Sequence, residues 1–195
     1  MEGKIIKFAG KIINKLASPG SAISQVTFVA GGTVVAQALN VLILPIVSRI
    51  YSPADYGVMA VYSSVIAILS ELSGFRYYLA IPLPKNKKYA EALIFLSLMI
   101  QICFVSLVSF ILLFFGKDIF SKFSLNALTP YMFLIPVGLL FIGVYRILMQ
   151  WSIREGSFQA IGVTKISQCI TGAGAKIGLG LLGIKPAGLL LGVII

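Results

Sequence analysis

The chain has 195 residues, of which 58% are hydrophobic and only 11% are charged, and its mean hydropathy is +1.00. A water-soluble domain carries far more surface charge, so this composition excludes an ordinary soluble protein and favours a helical membrane protein. The net charge of +10 does not indicate nucleic-acid binding, because the lysines cluster between long apolar runs, as in loops at the inner membrane face.

The first segment, residues 1–24, places its four lysines on one helical stripe beside an apolar stripe. This pattern predicts a basic amphipathic helix that lies on the anionic inner surface of a membrane. A signal peptide is disfavoured, because no apolar core precedes a small-residue cleavage site.

Six membrane spans follow, each predicted from a run of mostly apolar residues. The expected fold is therefore all-α, a polytopic membrane bundle of about six transmembrane helices. The last run stops without a polar flank, which predicts a chain cut in mid-helix and hence a fragment of a longer protein. The predicted spans cover approximately residues 25–48, 57–78, 90–115, 130–149, 160–182 and 186–195.

The distribution of the lysines and arginines, apart from Lys176 within the fifth span, predicts the orientation of the chain. If the N-terminus is inside, the inner segments hold 11 of them and the outer segments hold 4. Because positive residues accumulate on the cytoplasmic side, we expect a cytoplasmic N-terminus.

Polar side chains inside the spans predict where a cavity lies, because such groups avoid lipid. Gln37 and Asn40 share one face of the first span. In the fifth span Lys165, Gln168 and Lys176 form one polar stripe, which would line a cavity. The alternative for Lys176 is a side chain that reaches the outer surface. Two GxxxG pairs, at positions 174/178 and 188/192, predict close helix contacts.

Glu71 and Arg76 lie at the end of the second span. Five residues apart, they do not share a face of a regular helix, so an ion pair would need Gly74 to loosen the helix. Glu71 would accept a proton or a cation, or bond a neighbouring helix. Arg76, Arg146 and Arg154 would either anchor the chain at the inner surface or contact a substrate.

These residues together predict a cationic cavity that opens inward. Arginine holds phosphate and pyrophosphate in a bidentate manner, so an anionic, lipid-linked substrate would fit. The candidate substrate-binding residues are Arg49, Arg76, Arg146, Arg154, Lys165 and Lys176, and the candidate coupling or polar cavity residues are Glu71, Gln37, Asn40 and Gln168.

Signatures of catalysis and of cofactor binding are weak. The chain has no histidine, and Cys103 and Cys169 have no metal-ligand spacing. Residues 178–183 have the glycine spacing GxGxxG of a dinucleotide-binding motif. They lie in a predicted span with no preceding strand, so we do not assign that function to them. We therefore expect no metal, no cofactor and no enzymatic activity.

Two segments resemble the amino-terminal half of the bacterial polysaccharide flippases, the O-antigen and capsule exporters (Wzx-like) of the MATE-related MOP superfamily. They are residues 37–57, QALNVLILPIVSRIYSPADYG, and residues 74–85, GFRYYLAIPLPK. Residues 150–154, QWSIR, Phe158 and the glycine-rich fifth span are similar to the family as well.

The resemblance implies about twelve helices in two bundles, of which this chain would form one. It implies a multi-pass protein of the bacterial cytoplasmic membrane that moves undecaprenyl-pyrophosphate-linked oligosaccharides to the outer leaflet by alternating access, driven by an ion gradient. The expected partners are the lipid-linked oligosaccharide, membrane lipids and polysaccharide polymerase machinery, and not nucleic acid.

Two alternatives remain open from the sequence. A cation-coupled small-molecule exporter of the MATE type would use Glu71 to carry the coupling ion. A non-transporting membrane component of a polysaccharide synthesis complex would bury its charged stripes in contacts between helices.

Overall fold

The computed structural model describes residues 22–123 and 125–194, except for the side chains of 22–28, 74 and 75. Every regular element in these residues is a helix, which confirms the predicted all-α bundle. In chain order they are α1 (Ala22–Ile50), α2 (Pro53–Leu72), a first 3₁₀ helix (Ser73–Ala80), α3 (Lys87–Lys122), a second 3₁₀ helix (Asn126–Tyr131), α4 (Leu134–Arg154), α5 (Phe158–Leu181) and α6 (Ala187–Ile194). The predicted amphipathic helix of residues 1–24 falls almost wholly outside the described residues.

Four helices, α1 to α4, are long and apolar enough to cross a membrane by length and composition. The chain therefore has the character of a multi-pass membrane protein. The fifth predicted span is present as α5, a helix of 24 residues, but it is not among these four, since lysines and other polar residues interrupt its apolar sequence. The sixth lies in α6, which has 8 residues.

The turn between α1 and α2 is fixed by a capping box. The Ser52 hydroxyl accepts a hydrogen bond from the Asp55 backbone N–H at 3.3 Å, and the Asp55 carboxylate accepts one from the Ser52 backbone N–H at 2.8 Å. Pro53 occupies the start of α2, where the missing N–H removes no helical hydrogen bond. These contacts satisfy backbone donors that a helix start leaves free.

Several helix ends differ from the prediction. The second span was expected to remain helical to about Tyr78, but α2 ends at Leu72 and a 3₁₀ helix follows. The expected loop after residue 115 begins instead as helix up to Lys122. The reason is packing: Gly116 and Phe120 are buried, and a side chain at Gly116 would touch Met132. Pro130 lies in the second 3₁₀ helix, and α4 begins only at Leu134.

Contacts between the helices show an alternating up-and-down order. Helices α1 and α5 run parallel, because Gly32 lies against Gly162 and Tyr51 against Gly180. Helix α6 runs antiparallel to α5, since Gly188 approaches Gly180 while Gly192 approaches residue 172. The core lies around α4, where Tyr62, Ile135, Leu139 and Leu190 are fully buried.

This order gives the bundle two ends. The α2–α3 end contains residues 81–86 and 155–157, and the α1–α2 end contains residues 51–52, 125–133 and 182–186. Positive residues are more frequent toward the α2–α3 end. The side of the membrane on which that end lies stays a prediction.

Candidate functional site

The clearest irregularity among the spanning helices is the break at the end of α2. Ser73 adopts an extended backbone conformation, with φ −65° and ψ 128°, and its N–H still bonds the carbonyl of Leu69. The chain then continues as the first 3₁₀ helix, which packs against both α3 and α4. Discontinuous helices of this kind commonly form the ligand sites of transporters.

Gln101 of α3 holds the break in place. Its side-chain carbonyl accepts a hydrogen bond from the Ser73 hydroxyl at 2.8 Å, and its side-chain amide donates to the backbone carbonyl of Leu139 at 2.8 Å. Ser73 and Gln101 are both buried. A Cβ at Gly143 would lie 2.2 Å from the Gln101 amide, so this glycine makes room for the link.

Sequence reasoning missed Gln101, although a signal was present. It is a lone amide within a long apolar helix, and such residues usually bond neighbouring helices. Gln101 lies fourteen residues after Lys87, the first residue of α3, which corresponds to roughly 21 Å along an α-helix. The break beside it therefore lies well inside the length of the bundle and not at its surface.

Glu71 lies between two arginines at this break. Its Oε2 atom accepts from Arg76, and its Oε1 atom accepts from Arg146 at 3.1 Å. The interruption of the helix that an ion pair between Glu71 and Arg76 was expected to need is present in the structure. The pair forms because the α-helix ends at Leu72, so the two residues do not belong to one regular helix.

The two arginines are held very differently. Arg146 donates to the carbonyl of Ser70 at 2.9 Å and to its hydroxyl at 3.3 Å, and its guanidinium carbon lies 5.9 Å from the centre of the Tyr78 ring. Its side chain is 27% exposed, whereas that of Arg76 is 60% exposed. Arg76 also has a φ of 57°, and it is the one non-glycine residue with a positive φ in the described ranges. Such left-handed backbone is strained for a residue with a Cβ.

Arg154 and Lys87 make the contacts that link the end of α4 to the start of α3 and the residues just before it. Arg154 donates to the backbone carbonyl of Pro84, and the Lys87 ammonium lies 6.0 Å from the centre of the Trp151 ring. Both contacts are of the kind that anchors a helix end. Arg154 is thus bound to the backbone at the α2–α3 end.

Lys165 and Lys176 lie elsewhere, on α5. Lys165 donates to the Thr33 hydroxyl of α1 at 2.8 Å. Lys176 is partly buried, and its side-chain stem lies against Gly192 of α6, where an added Cβ would approach it within 2.4 Å. Part of the predicted polar stripe therefore lies in a contact between helices and not along an open cavity.

Tyr51, in the turn between α1 and α2, links that turn to α5. Its hydroxyl donates to the backbone carbonyl of Lys176 at 2.6 Å. Burial, with the negative charge of Asp55 as the second cause, raises the pKa of Tyr51. The hydroxyl therefore keeps its proton and remains a donor.

The remaining candidate residues do not join the break. Arg49 is exposed in the last turn of α1, toward the α1–α2 end. Gln37 and Asn40 are exposed along α1, and Gln168 is partly buried on α5. The six predicted cationic residues thus do not form one group, and among them only Arg76 and Arg146 share a partner in the described residues.

A second concave feature of the described residues is apolar. A pocket of about 190 Å³ lies between α2 and the second 3₁₀ helix, but Gly57, Val61 and Leu128 make its lining apolar. Within residues 22–123 and 125–194, no group of three or more His, Cys, Asp or Glu side chains is placed to hold a metal ion.

Comparison with known proteins gave no significant match to a family model, to a curated protein or to a solved structure. A function for this chain is therefore inferred from its own residues and from their resemblance to the flippases.

Proposed function

We propose that this chain forms one helix bundle of a flippase that moves undecaprenyl-pyrophosphate-linked oligosaccharides from the inner to the outer leaflet of the bacterial cytoplasmic membrane. The observation that carries the proposal is the convergence of Arg76 and Arg146 on one carboxylate at a helix break. Guanidinium groups bind phosphate oxygens with two parallel hydrogen bonds. The identity of the lipid and of the sugar part follows only from the sequence resemblance.

In this proposal the pyrophosphate enters from the α2–α3 end and meets Arg76 first, because its side chain is the more exposed of the two. Arg146, fixed to Ser70, provides the second contact. The lipid tail stays in the bilayer beside the apolar helices. This bundle then rocks as a nearly rigid body against a second bundle, driven by an ion gradient.

The cation-coupled exporter is the weaker candidate. A carboxylate that carries a coupling ion must be free to exchange a proton or a metal cation, but both oxygens of Glu71 are bonded to arginines. Nearby positive charge favours the ionised carboxylate and repels a second cation. Glu71 would have to lose both partners in each cycle.

The non-transporting alternative is favoured by one contact. Lys176 packs its stem against α6, as expected if the charged stripe only joins helices. The ion-pair cluster does not share this character, because Glu71 and Arg76 are both about half exposed. For this reason the transport proposal ranks first.

The test is transport by the complete transporter in vesicles loaded with the lipid-pyrophosphate-linked oligosaccharide. We expect Arg146→Gln to lower the initial rate about ten- to hundredfold, because a charged hydrogen bond contributes about 1.5–3 kcal/mol. Lys122→Gln removes an exposed charge at the opposite end of α3 and is the control. Equal rates in both variants would exclude the arginine mechanism.

A further inference from the structure

We infer that Glu71 is an internal counter-anion, which occupies the place of a substrate phosphate between Arg76 and Arg146 until a phosphate displaces it. This inference rests on the proposed function, because it concerns the regulation of the same arginine site. It assigns to Glu71 a role that differs both from ion coupling and from helix anchoring.

The geometry of the carboxylate is the first argument. Each of its oxygens bonds a different arginine, Oε2 to Arg76 and Oε1 to Arg146. A phosphate group presents oxygens in the same manner and is bound by the same forked donors. The site is therefore complete in its donors and is filled by the protein's own acid.

The balance of charge is the second argument. Two guanidinium groups face one carboxylate, so the cluster retains one uncompensated positive charge. Pyrophosphate, whether free or as the bridge between lipid and sugar, carries more negative charge than one carboxylate and presents more acceptor oxygens. Exchange therefore compensates the arginines more fully than Glu71 does.

The exchange also needs little movement of the helices. Glu71 precedes the break, and Ser73 is held by Gln101, which in turn is bound to α4. Arg146 is fixed to Ser70. Arg76 alone has an exposed side chain on left-handed backbone, so rotation of Glu71 and a shift of Arg76 open the site.

The experiment uses isothermal titration calorimetry to measure binding of inorganic pyrophosphate to the 195-residue chain in lipid nanodiscs. We expect Glu71→Gln to bind pyrophosphate roughly tenfold more tightly than the wild type, as removal of the internal competitor would do if the open form is about a tenth of the molecules. Glu91→Gln is the control. It removes an exposed acid near the start of α3 and should leave the affinity for pyrophosphate unchanged.

A double variant identifies the place of binding. Glu71→Gln combined with Arg76→Ala should lose the gain in affinity, because one of the two arginine arms is missing. The inference is overturned if Glu71→Gln binds pyrophosphate with unchanged or lower affinity, or if the gain persists without Arg76. Circular dichroism of each variant checks that the helices remain folded, and a misfolded Glu71→Gln variant would assign Glu71 a purely structural role and overturn the inference as well.

Failure of this inference and failure of the proposed function give different results. If Glu71→Gln gains affinity but the complete transporter moves no lipid-linked oligosaccharide, the counter-anion role stands and the flippase proposal fails. If transport depends on Arg146 but Glu71→Gln does not gain affinity, the flippase proposal stands and the counter-anion role fails.

Discussion

Two groups of helix contacts in this bundle are built from different chemistry. The glycine seams join α1 to α5 and α5 to α6, where Gly32 lies against Gly162 and Gly172 against Gly192. The polar seams join α2 and α3 to α4 through Gln101, Tyr62 and Arg146. In a membrane, lipid is as apolar as leucine, so close backbone packing and hydrogen bonds are the two means of helix association.

This difference in chemistry separates contacts that only pack the helices together from contacts that lead to a binding site. Contacts between glycine backbones have no charge to exchange and no alternative partner. The polar seams instead end in an ion-pair cluster whose members are partly exposed. We therefore expect substitutions in the glycine seams to change stability, and substitutions at the ion-pair cluster to change binding.

The largest effect on stability is expected at Gly32. A Cβ there would lie 2.9 Å from the Cα and carbonyl oxygen of Gly162, which are backbone atoms and must shift. Gly32→Ala should lower the free energy of unfolding by about 1–3 kcal/mol, as overpacking generally does. The measurement is unfolding of the detergent-solubilised chain by increasing SDS, followed by circular dichroism.

Gly31 provides the matched control, since a Cβ there meets nothing within 4 Å. Gly31→Ala should leave stability unchanged or raise it by about 0.5–1 kcal/mol, because alanine favours a helix over glycine. If Gly31→Ala and Gly32→Ala gave the same result, the α1–α5 glycine seam would not contribute to the fold.

A smaller loss is expected from Gln101→Leu in the polar seams. The substitution leaves the buried Ser73 hydroxyl and the carbonyl of Leu139 without their partner. Interhelical hydrogen bonds in membranes contribute about 1–2 kcal/mol or less, so the free energy of unfolding should fall by about that amount in the same SDS titration. Gln37→Leu, at an exposed position of α1, should not lower it.

The same variant tests whether the polar seam positions the site. Because Gln101 holds the break that carries Arg76, Gln101→Leu should also weaken pyrophosphate binding, although Gln101 contacts neither arginine in the described hydrogen bonds. Unchanged pyrophosphate affinity with lowered stability would limit Gln101 to a structural role.

The sequence predicted the helices better than their ends. Apolar runs predict membrane helices well, because every backbone group must be bonded within the helix. The end of α2 could not be predicted from its own residues, since the break depends on Gln101, which is 28 positions away from Ser73. The same break brings Glu71 to Arg76, so the geometry of the site was beyond local sequence reasoning.

The glycines show the same limit. Both GxxxG pairs predicted close contacts, but Gly174 and Gly178 face open space while Gly188 and Gly192 are tightly packed. The spacing marks a face of the helix and does not indicate which face meets a neighbour. Only the position of α6 relative to α5 distinguishes the two pairs.

The smallest effect on stability is expected at Lys165, a charged residue in the α1–α5 glycine seam. Among the described residues its ammonium bonds the Thr33 hydroxyl at 2.8 Å, and such a bond contributes on average about 0.6 kcal/mol in a membrane protein. A charge at the bilayer centre costs about 2.5–3.5 kcal/mol on insertion scales, and the cost is smaller for Lys165 because it lies near the start of α5. Lys165→Met should therefore leave the SDS unfolding midpoint unchanged or raise it.

Thr33→Val removes the same hydrogen bond but retains the charge, so it should lower the midpoint slightly. A clear loss of stability in Lys165→Met alone would mean that the ammonium is bound more strongly than by one hydroxyl, and the α1–α5 seam would then belong with the polar seams.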